Sequence, residues 1–159
     1  MSFAVLGLDL STRSTGWAIL DYEHRDIIDA GTINPIGELD HRIDTIADFL
    51  DSLVSDGDVG DAYLEGLVAH HPAAIVALGQ LHGAVRRDLR RRGINPGVVA
   101  PTEVKRHACA SGAARKIEMM TAAIERWPAW PPTNDDEADA MWVADLGCAR
   151  IEAAVRDAT

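Results

Sequence analysis

Residues 3–17 read Phe-Ala-Val-Leu-Gly-Leu-Asp-Leu-Ser-Thr-Arg-Ser-Thr-Gly-Trp, an apolar run followed by a cluster of turn residues. A short, almost wholly apolar run is typical of a strand that is covered on both faces of a sheet. Asp9 interrupts this run near its end, where a buried carboxylate is costly unless it is paired or bound to a metal. The pattern predicts a central strand over residues 3–10 and makes Asp9 a candidate functional residue.

The pattern of apolar residues then predicts nine further elements. Residues 16–22 and 27–33 are predicted strands, joined by links short enough for antiparallel hairpins. Helical spacing begins at Glu38, and strands over residues 62–67 and 97–100 alternate with helices. A long helix opens at Pro72, a short one at Pro101, another covers residues 114–127, and the last is capped by Asn134. The order β-β-β-α-β-α-β-α-α-α predicts an α/β protein.

This order predicts one five-stranded mixed sheet flanked by helices, with strands one, four and five parallel and side by side. A single domain over residues 1–159 suits the length of the chain. On the long helix, apolar residues at helical spacing, with one histidine, form a seam that is predicted to pack on the sheet, with packing on a second subunit as the alternative: Ile75, Leu78, His82, Val85 and Leu89.

Composition limits the possible functions. With 47% hydrophobic and 25% charged residues, the chain is typical of a globular protein without a membrane span. Cys109 and Cys148 have no disulfide or metal-site spacing, which predicts a reducing, cytoplasmic location. The net charge of −10 argues against a nucleic-acid partner, yet residues 86–116 hold nine basic side chains against two acidic ones. A polyanionic partner is therefore not excluded.

Acidic residues in three separated elements form the candidate site. Asp9 and Glu65 lie near the carboxyl ends of predicted parallel strands, where ligands bind in such sheets. Asp136 and Asp139 share one face of the last helix, whereas Asp135 points elsewhere and remains an alternative third ligand. Acids in a first helical turn also serve as caps. Four carboxylates without cysteine or histidine at matching spacing favour Mg²⁺ or Mn²⁺ over zinc, and hence phosphoryl displacement.

Five motifs resemble, in order and spacing, those of the RuvC-type Holliday-junction resolvases. They are Gly7-Leu8-Asp9-Leu10-Ser11-Thr12-Arg13-Ser14-Thr15-Gly16-Trp17; Ala62-Tyr63-Leu64-Glu65, followed by Ala77-Leu78-Gly79-Gln80-Leu81-His82-Gly83; Thr102-Glu103-Val104-Lys105; Gly112-Ala113-Ala114-Arg115-Lys116; and Asp136-Glu137-Ala138-Asp139-Ala140-Met141. The resemblance covers nearly the whole chain. It implies a ribonuclease-H-like fold and a homodimeric, Mg²⁺-dependent endonuclease that cuts branched DNA and leaves 5′-phosphate ends.

The resemblance also implies roles for particular residues. Asp9, Glu65, Asp136 and Asp139 would be metal ligands for two ions per active site, with Mn²⁺ able to replace Mg²⁺. Lys116 would act at the edge of the active site. The implied DNA-binding side chains are Lys105, Arg106, Arg115, Arg86, Arg87 and Arg90. The alternative for the arginines of residues 86–92 is an ordinary solvated helix face.

The sequence departs from the family at two places. Ser11 stands where many members have glycine, and Val68 stands where many carry an aromatic wedge three residues after the second acid. His70 and His71 follow, and could either stack on bases in place of the wedge or form a polar loop before Pro72.

Three other functions compete with junction cleavage. A sugar-kinase or actin-like ATPase has a similar opening motif but needs a second lobe, which 159 residues do not supply. A catalytically silent DNA-binding module would gain nothing from four retained carboxylates. A nuclease of the same fold that processes RNA or flaps remains open.

Overall fold

The structure, a computed structural model, describes residues 3–56 and 58–159. The elements in chain order are β1 (Ala4–Asp9), β2 (Thr15–Asp21), β3 (Ile27–Ile33), α1 (Leu39–Asp56), β4 (Val59–Glu65), α2 (Pro72–Arg91), β5 (Gly97–Val99), α3 (Pro101–Cys109), α4 (Lys116–Arg126) and α5 (Asp135–Asp157). All predicted elements are present in the predicted order. The largest boundary difference is at β4, which begins and ends earlier than residues 62–67.

The five strands form one mixed sheet in the order β3-β2-β1-β4-β5. β1 pairs antiparallel with β2 and parallel with β4, and β4 pairs parallel with β5. This confirms the prediction that strands one, four and five lie side by side. Asp9 is the last residue of β1 and Glu65 the last of β4, so both lie at the carboxyl edge of the sheet.

Helices cover both faces of the sheet. One apolar core joins Leu6 and Leu8 of β1 to α1 and α2, and a second joins Val99 and Leu20 to α3, α4 and α5. The long apolar run of β1 is explained by this burial on both sides.

One part of the predicted packing is wrong. Ile75, assigned to the buried seam of α2, is 47% exposed, while Leu81, outside that seam, is fully buried with His82, Val85 and Leu89. The reason is length. A 20-residue helix spans about 30 Å, whereas a 7-residue strand such as β4 spans about 23 Å, so one end of α2 extends beyond the sheet, and the exposure of Ile75 identifies it as the first turn.

Helix α5 lies directly on the backbone of the central strands. A Cβ added at Gly7 would come within 2.2 Å of the carbonyl oxygen of Ala140, and one at Gly16 within 2.0 Å of that of Asp136. Only glycine permits this approach. It brings the start of α5 to the carboxyl edge of the sheet, next to Asp9.

Candidate active site

Acidic side chains from β1, β4 and α5 converge at the carboxyl edge of the sheet. Asp9 donates a hydrogen bond to Glu65 when its carboxyl group is protonated. Burial, together with the charges of Glu65, Asp139 and Asp136, raises the pKa of Asp9 to about 8. Burial and the same kind of repulsion, led by Glu65, raise the pKa of Asp139 to about 7. The fold therefore holds these carboxylates closer together than their charges favour.

Groups on both sides of Glu65 affect its pKa. Burial raises its pKa, although the hydrogen bond from Asp9 and the positive charge of Lys105 act in the opposite direction. Lys105 lies on α3, directly after β5, so this helix places a cation beside the second acid.

Asp136 is held by the turn between β1 and β2. The Ser14 hydroxyl donates a 2.5 Å hydrogen bond to Asp136 Oδ2. The turn itself is closed by buried Thr15, whose hydroxyl donates to the Ser11 carbonyl oxygen at 2.7 Å and accepts from the Ser11 amide at 3.1 Å. Ser11 thus fits the turn without glycine. The sequence analysis missed Ser14, because its partner lies 122 positions away.

Asp135 belongs to a different interaction. Its Oδ2 lies 2.6 Å from Lys116 Nζ, and this hydrogen bond lowers the pKa of Asp135 and raises that of Lys116. Asp136 contributes its charge to the environment of Asp9, whereas the charges of both Asp135 and Asp136 raise the pKa of Asp139. The two neighbouring acids therefore differ in their direct partners, which are Lys116 for Asp135 and Ser14 for Asp136.

This donor set fits a hard divalent cation. The converging groups are carboxylates, which Mg²⁺ and Mn²⁺ prefer, and the raised pKa values of Asp9 and Asp139 record excess negative charge. In the part of the chain that the structure describes, no three Asp, Glu, His or Cys side chains are arranged so that they could hold a metal ion as they stand. Binding therefore requires side-chain adjustment, and because the pKa of Asp9 is raised to about 8, it would displace the proton that Asp9 holds near neutral pH.

Comparison with known proteins identifies the family. A family model for crossover junction endodeoxyribonuclease RuvC matches residues 5–145. This chain belongs to the RuvC family. The enzyme of that name from Anaeromyxobacter dehalogenans (strain 2CP-C) is 31% identical over 156 residues, which cover 95% of this chain and 83% of that protein. RuvC-family nucleases are metal-dependent, in agreement with the donor set.

Solved RuvC structures share the fold. Thermus thermophilus RuvC matches with a TM-score of 0.80 at 17% identity, over 94% of this chain and 97% of that one. The same protein in complex with Holliday junction substrate gives 0.79 at 16% identity, over 89% and 90% of the two chains. The predicted ribonuclease-H-like fold is thereby confirmed. No helix among residues 3–56 and 58–159 is long and apolar enough to cross a membrane.

In this RuvC-family chain, α3 is fixed to α5 by two polar contacts. Arg150 donates to both Glu103 carboxylate oxygens at 2.6 and 2.7 Å, and His107 Nε2 lies 2.7 Å from Asp145 Oδ2. Because α5 also carries Asp136 and Asp139, these contacts set the position of Lys105 relative to the carboxylates. The sequence analysis missed them, since partners on different helices leave no periodic signal.

The remaining basic candidates lie in two regions. Arg106 and Arg115 line an open groove of about 940 Å³ between α3 and α4. Arg86, Arg87 and Arg90 are exposed near the end of α2, which runs away from the carboxyl edge of the sheet. They are therefore remote from the carboxylates, and Arg87 is engaged by Asp88 at 3.1 Å.

The loop after β4 contains the residues that were considered for the aromatic wedge or for its replacement. His71 caps α2, where its Nδ1 accepts from the Ala73 amide at 3.3 Å, which matches the polar-loop interpretation. Val68, at the position of the wedge, is 57% exposed, and His70 is exposed as well. The choice between Val68 and His70 at this position stays a prediction.

Proposed function

We propose that this chain is a cytoplasmic, structure-specific endonuclease that resolves four-way DNA junctions at the carboxylate cluster. The observation that carries the proposal is the convergence of Asp9, Glu65, Asp136 and Asp139, where burial and the neighbouring negative charges raise the pKa of Asp9 to about 8. Uncompensated acids repel DNA phosphates, so a module that only binds DNA would be better without them. The family's printed activity, cleavage of crossover junctions, agrees with this chemistry.

The four carboxylates would hold two Mg²⁺ ions, with Mn²⁺ able to substitute. When bound, such a pair of cations activates water and stabilises the departing oxygen of a phosphodiester, which leaves a 5′-phosphate end. The chain's own residues position the ligands. Ser14 orients Asp136, and Lys116 holds Asp135 so that Asp136 is the third ligand in preference to its neighbour.

Basic side chains on α3 and at the start of α4 would hold the DNA backbone. Lys105 acts beside Glu65, and Lys116 is 82% exposed at the opposite end of the cluster. Arg106 and Arg115, along the groove between α3 and α4, would extend this contact. Such phosphate contacts position a strand without reading its sequence.

Two copies of the chain would act together. Ile75 and Val76 are 47% and 61% exposed on the first turns of α2, an unusual position for neighbouring large apolar side chains. Their burial against a second copy would place two active sites on one symmetric junction, so that opposed strands could both be cut.

Cleavage of a panel of synthetic substrates tests the proposal. The full chain is incubated with Mg²⁺ and a four-way junction, a fork, a flap, a linear duplex or an RNA–DNA hybrid. We expect cleavage of the junction by the wild type and by Asp44→Asn, an exposed control on α1, and none by Asp9→Asn, which should still bind. Binding without cleavage by the wild type would instead identify a silent module, and preference for the hybrid or flap would identify a processing nuclease.

A further inference from the structure

A second basic site lies on the other side of the carboxylates from α3. A cavity of about 430 Å³ opens between the β1–β2 turn and the segment that connects β3 to α1. Its lining consists of Arg13, Asn34, Pro35, Ile36, Gly37 and Arg42. Two guanidinium groups thus face one small cavity with no carboxylate among its lining residues.

The hydrogen bonding of these arginines is incomplete. Within residues 3–56 and 58–159, neither Arg13 nor Arg42 forms an ion pair. Arg42 donates from one terminal nitrogen to the Thr12 carbonyl oxygen at 3.1 Å, and its Nε is buried without a partner. A buried donor without an acceptor is costly and rare in folded proteins. The second terminal nitrogen of Arg42 and the guanidinium of Arg13 also have no partner among the described residues, so the site has unused capacity to bind an anion.

Arg92 and Arg150 behave differently. Each binds both oxygens of a carboxylate, Asp51 and Glu103 respectively. Glu38 and Asp40 are near Arg42 in sequence and are exposed, yet neither lines the cavity. Arg13 and Arg42 thus differ from Arg92 and Arg150 in having no acidic partner among the described residues.

The cavity is connected to the catalytic edge by two hydrogen bonds. Asn34 Nδ2 donates to Ser14 Oγ at 3.5 Å, and Ser14 donates to Asp136 at 2.5 Å. In the sheet, β3 and β5 are the opposite edges, and Lys105 follows β5 whereas Asn34 follows β3. A strand lying across the carboxyl edge would pass Lys105, then the carboxylates, then Arg13 and Arg42.

We propose that Arg13, Arg42 and Asn34 form a phosphate-binding site for the strand being cut, on the β3 side of the scissile phosphodiester. Guanidinium groups bind phosphate oxygens through paired hydrogen bonds, and the start of α1 adds a favourable dipole. The proposal rests on the proposed function and adds a contact that fixes the cleaved strand from both sides. Neither arginine belongs to the DNA-binding set deduced from the sequence.

Arg13→Ala is the informative variant, because the Arg13 side chain makes no hydrogen bond or ion pair among the described residues and is exposed. Arg13→Lys keeps the charge, and Arg156→Ala removes an exposed arginine at the far end of α5 as the matched control. Junction affinity is measured over a range of salt concentrations in the Asp9→Asn background. We expect about tenfold weaker binding by Arg13→Ala and a salt slope smaller by about 0.9, with partial recovery in Arg13→Lys and no change in Arg156→Ala.

A scan of single methylphosphonates along the cleaved strand identifies the phosphate concerned. Neutralising it should weaken binding by the Asp9→Asn protein but have no further effect on the Arg13→Ala derivative. The proposal is overturned if Arg13→Ala behaves like Arg156→Ala, or if every methylphosphonate acts equally on both proteins. Failure of the proposed function is distinct, since the wild type would then neither cleave nor prefer the junction.

Discussion

The Asp9 carboxyl group donates a hydrogen bond to Glu65 across the ends of the neighbouring parallel strands β1 and β4. Two neighbouring buried carboxyl groups hold one proton between them because both cannot be charged at low cost. A divalent cation removes that conflict by replacing the proton. Stability, proton uptake and metal binding are consequently linked at this pair.

The first prediction concerns stability without metal. The pKa of Asp9 rises from 3.8 in the unfolded chain to about 8 in the folded one, so the folded state binds more protons between these values. The contribution of Asp9 to the free energy of unfolding is complete below pH 4 and is lost as the pH rises through 8. Asp9→Asn should therefore melt about 2–4 °C higher than the wild type in EDTA at pH 8.5, corresponding to about 1 kcal/mol. Thermal unfolding checks this, with Asp44→Asn as the unshifted control; a lower melting temperature for Asp9→Asn would contradict it.

The second prediction concerns the pH dependence of metal affinity. Deprotonated Asp9 and Asp139, with pKa values of about 8 and 7, are needed for binding. The Mg²⁺ concentration for half-maximal junction cleavage should therefore fall about tenfold per pH unit for each proton displaced between pH 6 and 8. Calorimetry in buffers of different ionisation enthalpy measures the released protons directly. A Mg²⁺ requirement that is constant over this range, with no proton release, would refute the link.

The third prediction separates Asp135 from Asp136. Asp136→Asn should reduce junction cleavage as strongly as Asp9→Asn, while Asp135→Asn should have a much smaller effect, because Asp135 is occupied by Lys116. Lys116→Ala should slow cleavage about 100-fold if its charge acts on the reacting phosphate. The exposed Lys116–Asp135 pair should contribute less than about 1 kcal/mol to stability. Single-turnover rates and urea unfolding of the three variants provide the comparison, and equal rates for the two aspartate variants would remove the distinction.

The fourth prediction concerns the arginines at the end of α2. Arg86, Arg87 and Arg90 lie about 21–27 Å along α2 from its first residue, so DNA that reaches them must extend roughly 6–8 base pairs from the cut. Replacing all three with alanine should weaken binding to junctions with 20-base-pair arms more than binding to junctions with 6-base-pair arms. Equal effects on both substrates would place the arginines nearer the junction centre, and no effect on either would make them a solvated helix face.

Asp9 and Glu65 could be predicted because a carboxylate at the end of an apolar strand breaks a local pattern, and parallel strands bring such ends together. The acids of the last helix, α5, could also be predicted, because helical spacing places Asp136 and Asp139 on one face. Spacing could not assign Asp135 to Lys116 or Ser14 to Asp136, since these pairings depend on how separate elements meet. Helical spacing also predicted wrongly that Ile75 is buried, because periodicity does not show where the sheet beneath a helix ends.

The contact of α5 with Gly7 and Gly16 has a consequence for mutagenesis. Every substitution at these positions adds a Cβ that meets helix backbone within about 2.2 Å, so no choice of side chain relieves the overlap. In a library that samples all residues at each position, both glycines should tolerate change as poorly as Asp9, although neither carries a functional group. Intolerance to substitution alone would then make these two helix-packing positions look like part of the catalytic site. Only a readout that separates folding from cleavage would distinguish the two.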